Sequence, residues 1–295
     1  MTWTTPTSST VPVTTAVPAY WTYVGADGTE TTISDTSRIV TLNGDLNEIV
    51  YALGYGEAVV GNDLSATFPS ETLALPKVGY QRALNAEGIL SLDPTLVIGN
   101  EQAGPPEVLE QIRSAGVPVV ILPDEVSIDG AARKVEMVGE VLGDRARAAE
   151  LAEQIGAEIA SARELIPDPA PRPRIAFIYA RGLEILFLAG RDTPSESLIT
   201  TAGGVDAGAE AGVTDFAQLT AEGLAAANPD WLILTEDGIE SVGGLEGLLA
   251  IPGVAQTAAG RERRVLIFDD LGFLGLTPRV GTVLRSLLVS LYQGG

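Results

Sequence analysis

The chain contains no cysteine and no histidine, and its only methionines are Met1 and Met137. These absences exclude thiol nucleophiles, Ser-His-Asp triads and any metal site built on imidazole or thiolate. They also argue against a zinc or manganese carrier, because such sites usually draw on histidine. A lack of cysteine does not fix a compartment. Basic residues are scarce: 18 Lys and Arg stand against 39 Asp and Glu, a formal charge of −21. A nucleic-acid partner is therefore not expected, since phosphate binding needs a basic face. No apolar run approaches the roughly 20 residues of a bilayer-spanning helix. What the 295 residues do hold is 45% apolar content, enough for a substantial core and for two domains of ordinary size.

The first 36 residues differ from the rest. "TWTTPTSSTVPVTTAVP" is uncharged Thr, Ser, Pro and Val, and it reads as an extended, flexible tether. No basic segment followed by an apolar one precedes it, so we expect a leader to have been removed and Met1 to be a start joined to a mature chain. A tether ahead of a globular body suits an exported protein held at a surface, by a lipid anchor for example. It suits equally a tail on a cytosolic enzyme.

From Ser37 onward, apolar runs such as "RIVTL", "AVVGND", "TLVIGN" and "VPVVILPD" alternate with helical patterns. Such alternation predicts an α/β fold with parallel sheets covered on both faces. The plan then repeats, with "RIAFIYA", "WLILT" and "RRVLIFDD" as strands and "TPRVGTVLRSLLVSLY" as the closing helix. Between the halves, Gly143-Asp144 reads as a C-cap followed by an N-cap. Beyond it an apolar stripe at Ala148, Leu151, Ala152, Ile155 and Ile159 predicts a helix of about 22 residues, roughly 33 Å long. The expected organisation is a tether over 1–36, an α/β lobe over 37–126, a helical spine over 127–170 and a second lobe over 171–295. Two Rossmann-like lobes joined by one long helix leave a cleft between strand ends, where small-molecule sites lie.

One device occurs twice. "LNAEGILSLDPTLVIGN" from Leu84 and "LTAEGLAAANPDWLILT" from Leu219 align without a gap, 135 residues apart. Asn85 and Thr220 can cap the two helices, which puts Glu87 and Glu222 in their first turns near the positive dipole end. Either glutamate alone serves its own helix. The pair offers matched handles for a two-fold symmetric partner with basic sockets.

From Ser37 to Tyr292 the chain resembles the ABC-transporter substrate-binding proteins that carry cobalamin, siderophores or haem between two lobes joined by a long helix. Within that family it is most similar to the haemin-binding type, on "LPKVGYQRALNAEGILSL", "AGRDTPSESLITTAGGVDA" and "GGLEGLLAIPGVAQTAAGRERRV". The resemblance implies a carrier, not an enzyme, that works outside the cytoplasm and hands haem to a permease dimer with ATPase subunits. It implies that Glu87 and Glu222 dock on permease arginines, and that Tyr80, the tyrosine of "GY-x-R", is the axial iron ligand.

The chemistry of Tyr80 is consistent with that role. A free phenol titrates near pH 10, yet ferric iron can hold it as tyrosinate. Arg82 can stabilise the phenolate or reach a propionate. Without histidine, the opposite face of the iron would be open, water-bound or covered by a second haem. "YARG" places Tyr179 to stack on the macrocycle or ligate a second haem, and Arg181 to pair a propionate. Arg191 and Thr193, ahead of the helix at Pro194, can meet an anionic group, although Asp192 works against it. Phe273 and Arg279 are expected on the cleft wall. Glu236 and Asp237, past a strand end, would repel propionates unless they point away. A ferric siderophore or a corrinoid is the alternative cargo on the same fold. An enzyme would lack any Gly-rich phosphate loop or nucleophile elbow, and an adhesive module would leave the paired glutamates unexplained.

Overall fold

The computed structural model describes residues 20–293, so most of the expected tether lies outside them. Its last part is not a tether. Trp21–Val24 (β1) and Glu30–Ile33 (β2) pair antiparallel, turning at Gly28, which has φ 75°. Trp21 Nε1 donates to Val141 O at 3.2 Å, Thr31 Oγ1 donates to Val119 O at 3.1 Å, and the Ile33 side chain is wholly buried. The two-residue alternation of Thr31 and Ile33 decided the outcome here, where composition alone suggested a loose chain.

The first lobe then follows the expected plan. Ile39–Thr41 (β3), Gly44–Ala52 (α1) and Val59–Asn62 (β4) lead to a small hairpin of Gly79–Tyr80 (β5) and Ala83–Leu84 (β6). Ala86–Leu90 (α2), Leu96–Asn100 (β7), Pro106–Ser114 (α3) and Val119–Leu122 (β8) complete it. The sheet is fully parallel in the order β4-β3-β7-β8, and β7 and β8 are buried throughout, as continuous apolar runs covered on both faces require. β8 is its edge, and the hairpin covers it: Ala26 N donates to Ile121 O at 2.7 Å.

The spine is two helices, Gly130–Leu142 (α4) and Arg145–Arg163 (α5), packed as a hairpin where one helix was expected. The punctuation between them is as read: Gly143 is left-handed at φ 75°, and the Asp144 side chain accepts from Arg147 N at 3.2 Å.

The second lobe runs Arg174–Arg181 (β9), Ile185–Ala189 (β10), Pro194–Thr201 (α6), Val205–Asp206 (β11), Ala207–Glu210 (α7) and Phe216–Gln218 (β12). It continues through Ala221–Ala227 (α8), Trp231–Thr235 (β13), Glu236–Ser241 (α9), Gly244–Ala250 (α10), Ala258–Glu262 (α11), Val265–Phe268 (β14), Asp270–Leu274 (α12) and Val280–Tyr292 (α13). Its sheet, β12-β10-β9-β13-β14 with β11 also on β9, is mixed. β9, β11, β13 and β14 are parallel as expected, but β10 runs back beside β9 and β12 beside β10. The tight turn at Gly182 reverses the chain too soon for a crossover helix, so "ILFLA" pairs antiparallel with β9 and leaves its other edge to β12.

The lobes share one core across the spine, running from Leu46 and Ile49 through Val135, Val138, Ile155 and Ile159 to Phe177, Phe273 and Leu284. Buried charges fasten it. Lys134 Nζ on α4 donates to Asp45 Oδ2 of the first lobe at 2.7 Å and to Gly275 O of the second at 2.5 Å. Only 3% of the Lys134 side chain is exposed, so the ammonium cannot exchange these partners for water. We expect Asp45→Ala, which strands that ammonium, to cost about 3–5 kcal/mol in denaturant unfolding. Lys134→Met combined with Asp45→Leu should recover most of the loss, and an unaltered Asp45→Ala midpoint would show that the clamp carries no weight.

Candidate functional site

Tyr80 stands on the short hairpin of β5 and β6, where Gly79 pairs with Leu84 and Tyr80 with Ala83. Gly79 adopts φ 109°, and a Cβ there would stand 2.6 Å from Ala83 O, so only glycine fits. Backbone bonds fix the hairpin from three sides. Leu64 N donates to Gly79 O at 2.9 Å, Gly104 N to Gln81 O at 2.8 Å and Leu84 N to Gly104 O at 3.0 Å. The Tyr80 side chain is thus presented on a fixed backbone while 44% of its surface stays accessible.

Strand alternation on β9 puts Phe177, Tyr179 and Arg181 on one face and Ala176, Ile178 and Ala180 on the other. The Tyr179 ring meets Phe216 edge-on at 6.0 Å, and the Arg181 guanidinium lies 4.7 Å from its centroid. Arg181 Nη2 also donates to Asp270 Oδ1 at 2.5 Å. Burial pushes the Tyr179 phenol above its ordinary pKa; Arg181 opposes this, Tyr80 adds to it, and Arg82 opposes it. Tyr80 and Arg82 belong to the first lobe, so the two Tyr-x-Arg units lie within electrostatic reach of each other across the cleft.

The other residues expected at the cleft are placed differently. Arg82 is exposed, and its Nη2 donates to Gln102 Oε1. Arg279 is not a free cleft cation: Nε and Nη2 donate to the two oxygens of Glu48, both at 2.9 Å, and Nη2 to Asp269 Oδ1 at 3.0 Å. Its guanidinium covers Phe68 at 4.0 Å. Phe273 lines no cleft: it is wholly buried between Phe177 at 5.2 Å and Phe268 at 5.1 Å, because its helix turns the ring into the core. Thr193 is 1% exposed and spent as the cap of α6, accepting from Glu196 N and donating to Gly190 O at 2.7 Å. Arg191 lies beyond the end of β10 that runs away from Arg181, where it bridges to Thr214 and its N–H donates to Val213 O at 3.0 Å. There its Nη2 donates to Ala209 O at 2.9 Å. Glu236 and Asp237 occupy the first turn of α9, and Asp237 N donates to Asp270 Oδ2 at 3.1 Å.

The sequence reading passed over the apolar rim. Leu64 beside the Tyr80 hairpin, Phe68 under Arg279, Leu183 and Ile185 just past the end of β9, and Phe216 against Tyr179 are between 37% and 66% exposed. The signal was available for two of them, since Leu64 and Leu183 each follow a strand's carboxyl end, where α/β sheets bind ligands. Together these groups suit a flat, largely apolar ligand with few anionic groups.

Glu87 and Glu222 occupy equivalent places. Each is exposed in the first turn of a helix, α2 or α8, whose cap sits two residues earlier: Asn85 Oδ1 accepts from Gly88 N at 3.2 Å and Thr220 Oγ1 from Gly223 N at 3.0 Å. Each helix leads into the strand beside its lobe's first sheet strand, β7 beside β3 and β13 beside β9. Among the described residues neither glutamate forms a salt bridge.

Residues 39–270 match the family model described as periplasmic binding protein. The solved periplasmic haem-binding protein RhuT of Roseiflexus sp. RS-1, in apo form, is 50% identical with a TM-score of 0.85, covering 88% of this chain and 99% of that one. An uncharacterised ABC transporter substrate-binding lipoprotein of Bacillus subtilis, YvrC, is 28% identical over 70% of this chain and 66% of its own length. A cobalamin-binding protein of Halobacterium salinarum is 28% identical over 68% of this chain, and the match spans about half of that relative, 54%.

The strain at Gly79 gives a direct check on the rigidity of the hairpin. Gly79→Ala should lower unfolding stability by roughly 1–3 kcal/mol. Amide exchange should quicken over residues 78–85 while the spine is unaffected. Unchanged exchange there would mean the hairpin tolerates the side chain.

Proposed function

The chain belongs to the periplasmic binding protein family, whose members bind ligands and are not enzymes, and from that premise we propose that it carries ferric haem to an ABC importer with Tyr80 as the iron ligand. The observation that carries this reading is the pair of Tyr-x-Arg units, one per lobe, near enough for Tyr80 and Arg82 to act on the charge of Tyr179. Family membership implies an extracytoplasmic setting and work alongside a permease with ATPase subunits. In this reading the tether, whether or not lipid-anchored, keeps the protein at the membrane.

The chain's own groups divide the work. The Tyr80 oxygen offers a hard anionic donor suited to ferric iron once its proton is lost, and no histidine or cysteine exists to compete with it. Leu64, Leu183, Ile185 and Phe216 exclude water from the faces of a flat macrocycle. Arg82 is the cation near enough to meet either the phenolate or a carboxylate, while Arg181 steadies Tyr179 from above its ring. A ferric siderophore, usually a multiple anion, would want several free arginines, and Arg181 and Arg279 are already paired with carboxylates. A corrinoid, whose periphery is largely amide, is the second reading, supported by the cobalamin-binding relative.

Hemin titration of the purified protein tests the assignment. The wild type should give a saturable Soret shift with a tyrosinate-to-iron charge-transfer band. Tyr80→Phe should lose the band and at least tenfold in affinity, about 1.4 kcal/mol. Saturable binding of aquocobalamin, with only non-specific hemin uptake, would replace haem by a corrinoid.

Delivery rests on Glu87 and Glu222 in this proposal: two exposed carboxylates, one per lobe, with no salt bridge among the described residues, match basic sockets on a two-fold permease. Glu87→Arg with Glu222→Arg should leave hemin binding intact and abolish stimulation of ATP hydrolysis by the reconstituted importer. Wild-type stimulation by the double variant would remove the docking role.

A further inference from the structure

Most of the cleft's positive charge is cancelled within the protein. Arg181 is bonded to Asp270, and Arg279 to Glu48 and Asp269. Arg82 differs. Its Nη2 donates to a neutral acceptor, Gln102 Oε1, and among the described residues it forms no salt bridge. Yet a carboxylate lies one amide away, because Gln102 Nε2 donates to Asp124 Oδ2 at 2.9 Å. The Gln102 side chain is interposed between a guanidinium and the carboxylate that would otherwise neutralise it.

The spacer is held from behind by buried amides. Gln102 N donates to Asn100 Oδ1 at 2.9 Å, and the same oxygen accepts from Asn43 Nδ2 at 2.8 Å. Asn100 N donates to Asn43 Oδ1 at 2.9 Å, and Asn43 Nδ2 also donates to Gln81 Oε1 at 2.8 Å. Asn43 and Asn100 are 1% and 6% exposed, so neither can swap these partners for water. The network ties Gln102 to the Tyr80-Gln81-Arg82 turn itself and so sets the distance between Arg82 and the spacer. Asp124 is anchored in turn, its N–H donating to Glu101 Oε2 at 3.0 Å.

Building on the haem reading, we infer that Gln102 is a positioning residue that holds Arg82 apart from Asp124 and so preserves one unpaired cation in the cleft, which selects a porphyrin carrying a free carboxylate. The physical basis is the strength ordering of the contacts. A guanidinium–carboxylate pair is charge-assisted and would satisfy Arg82 internally. An amide leaves most of its charge for the ligand. Arg82 and Asp124 are both exposed, so the competition is between modest energies, and one amide is enough to tip it.

The test compares hemin with its dimethyl ester, which keeps the iron and the macrocycle and lacks both carboxylates. The wild type should favour hemin about tenfold, which is about 1.4 kcal/mol. Gln102→Ala frees Arg82 to close on Asp124 and should shrink the preference to about twofold. Gln102→Glu, which sets a carboxylate directly on Arg82, should shrink it in the same way. Adding Asp124→Asn to Gln102→Ala should restore the preference, and Arg82→Gln should abolish it whatever stands at 124. The tyrosinate charge-transfer band should persist in the Gln102 and Asp124 variants, separating this role from iron ligation. A preference undiminished in Gln102→Ala, or one that Asp124→Asn fails to restore, overturns the inference. Equal wild-type binding of both porphyrins overturns it while leaving the haem reading standing, whereas no saturable binding of either defeats that reading as well.

Discussion

The buried ammonium of Lys134 is the point on which the cleft depends. It sits on the spine with Asp45 of one lobe and the Gly275 carbonyl of the other as its hydrogen-bond acceptors. An ammonium taken out of water must keep its partners, because stranding it costs several kcal/mol. Opening the lobes at this point would strand it. Arg279 adds a second grip nearby. Burial works against its charge, but the Glu48 carboxylate outweighs that and holds the guanidinium protonated. The cleft therefore has a set width, and the hydrophobic core that runs unbroken through the spine supports it from beneath.

A set width changes what the arginines can do. In a chain with 18 basic and 39 acidic residues, most guanidinium groups find carboxylates of their own. Arg181 and Arg279 are spent on internal pairs at the rim and the base of the cleft, and Arg191 on a backbone carbonyl well away from it. The walls are left to apolar groups, and in the proposed haem reading recognition of charge falls to Arg82. Such a surface fits a flat apolar ligand better than a polyanion. The overall acidity does not contradict an anionic cargo, because the field felt by a ligand is set by the few groups within several ångströms of it.

Local devices were legible before any tertiary contact was known. The helix caps at Asn85, Thr220 and Asp144 and the left-handed glycine at 143 all depend on neighbours a few residues away. The repeated Ala-Glu-Gly unit was legible for the same reason: a capped helix start is encoded within four residues, and two copies of it land at equivalent places in two equivalent lobes. The backbone around the candidate Tyr80 was legible through its "GY-x-R" context, where Gly79 is required by a geometry that no other residue tolerates.

What only the tertiary structure decided involves residues far apart in the chain. Phe273 and Arg279 lie in one loop-rich stretch and looked alike as cleft candidates, but one ring is wedged between Phe177 and Phe268 and the other side chain is claimed by Glu48, 231 positions away. The segment from Trp21 to Ile33 became a hairpin because β8 presents an open edge to it. The second sheet turned mixed because a tight turn sends β10 back beside β9, and β12 then pairs with β10. In each case the sequence by itself determined which residues could cap, bury or carry charge, since those properties belong to single side chains and their near neighbours. Which partner satisfied them was decided by folding, because a buried donor, an open strand edge or an uncovered ring takes whatever the rest of the chain brings within reach.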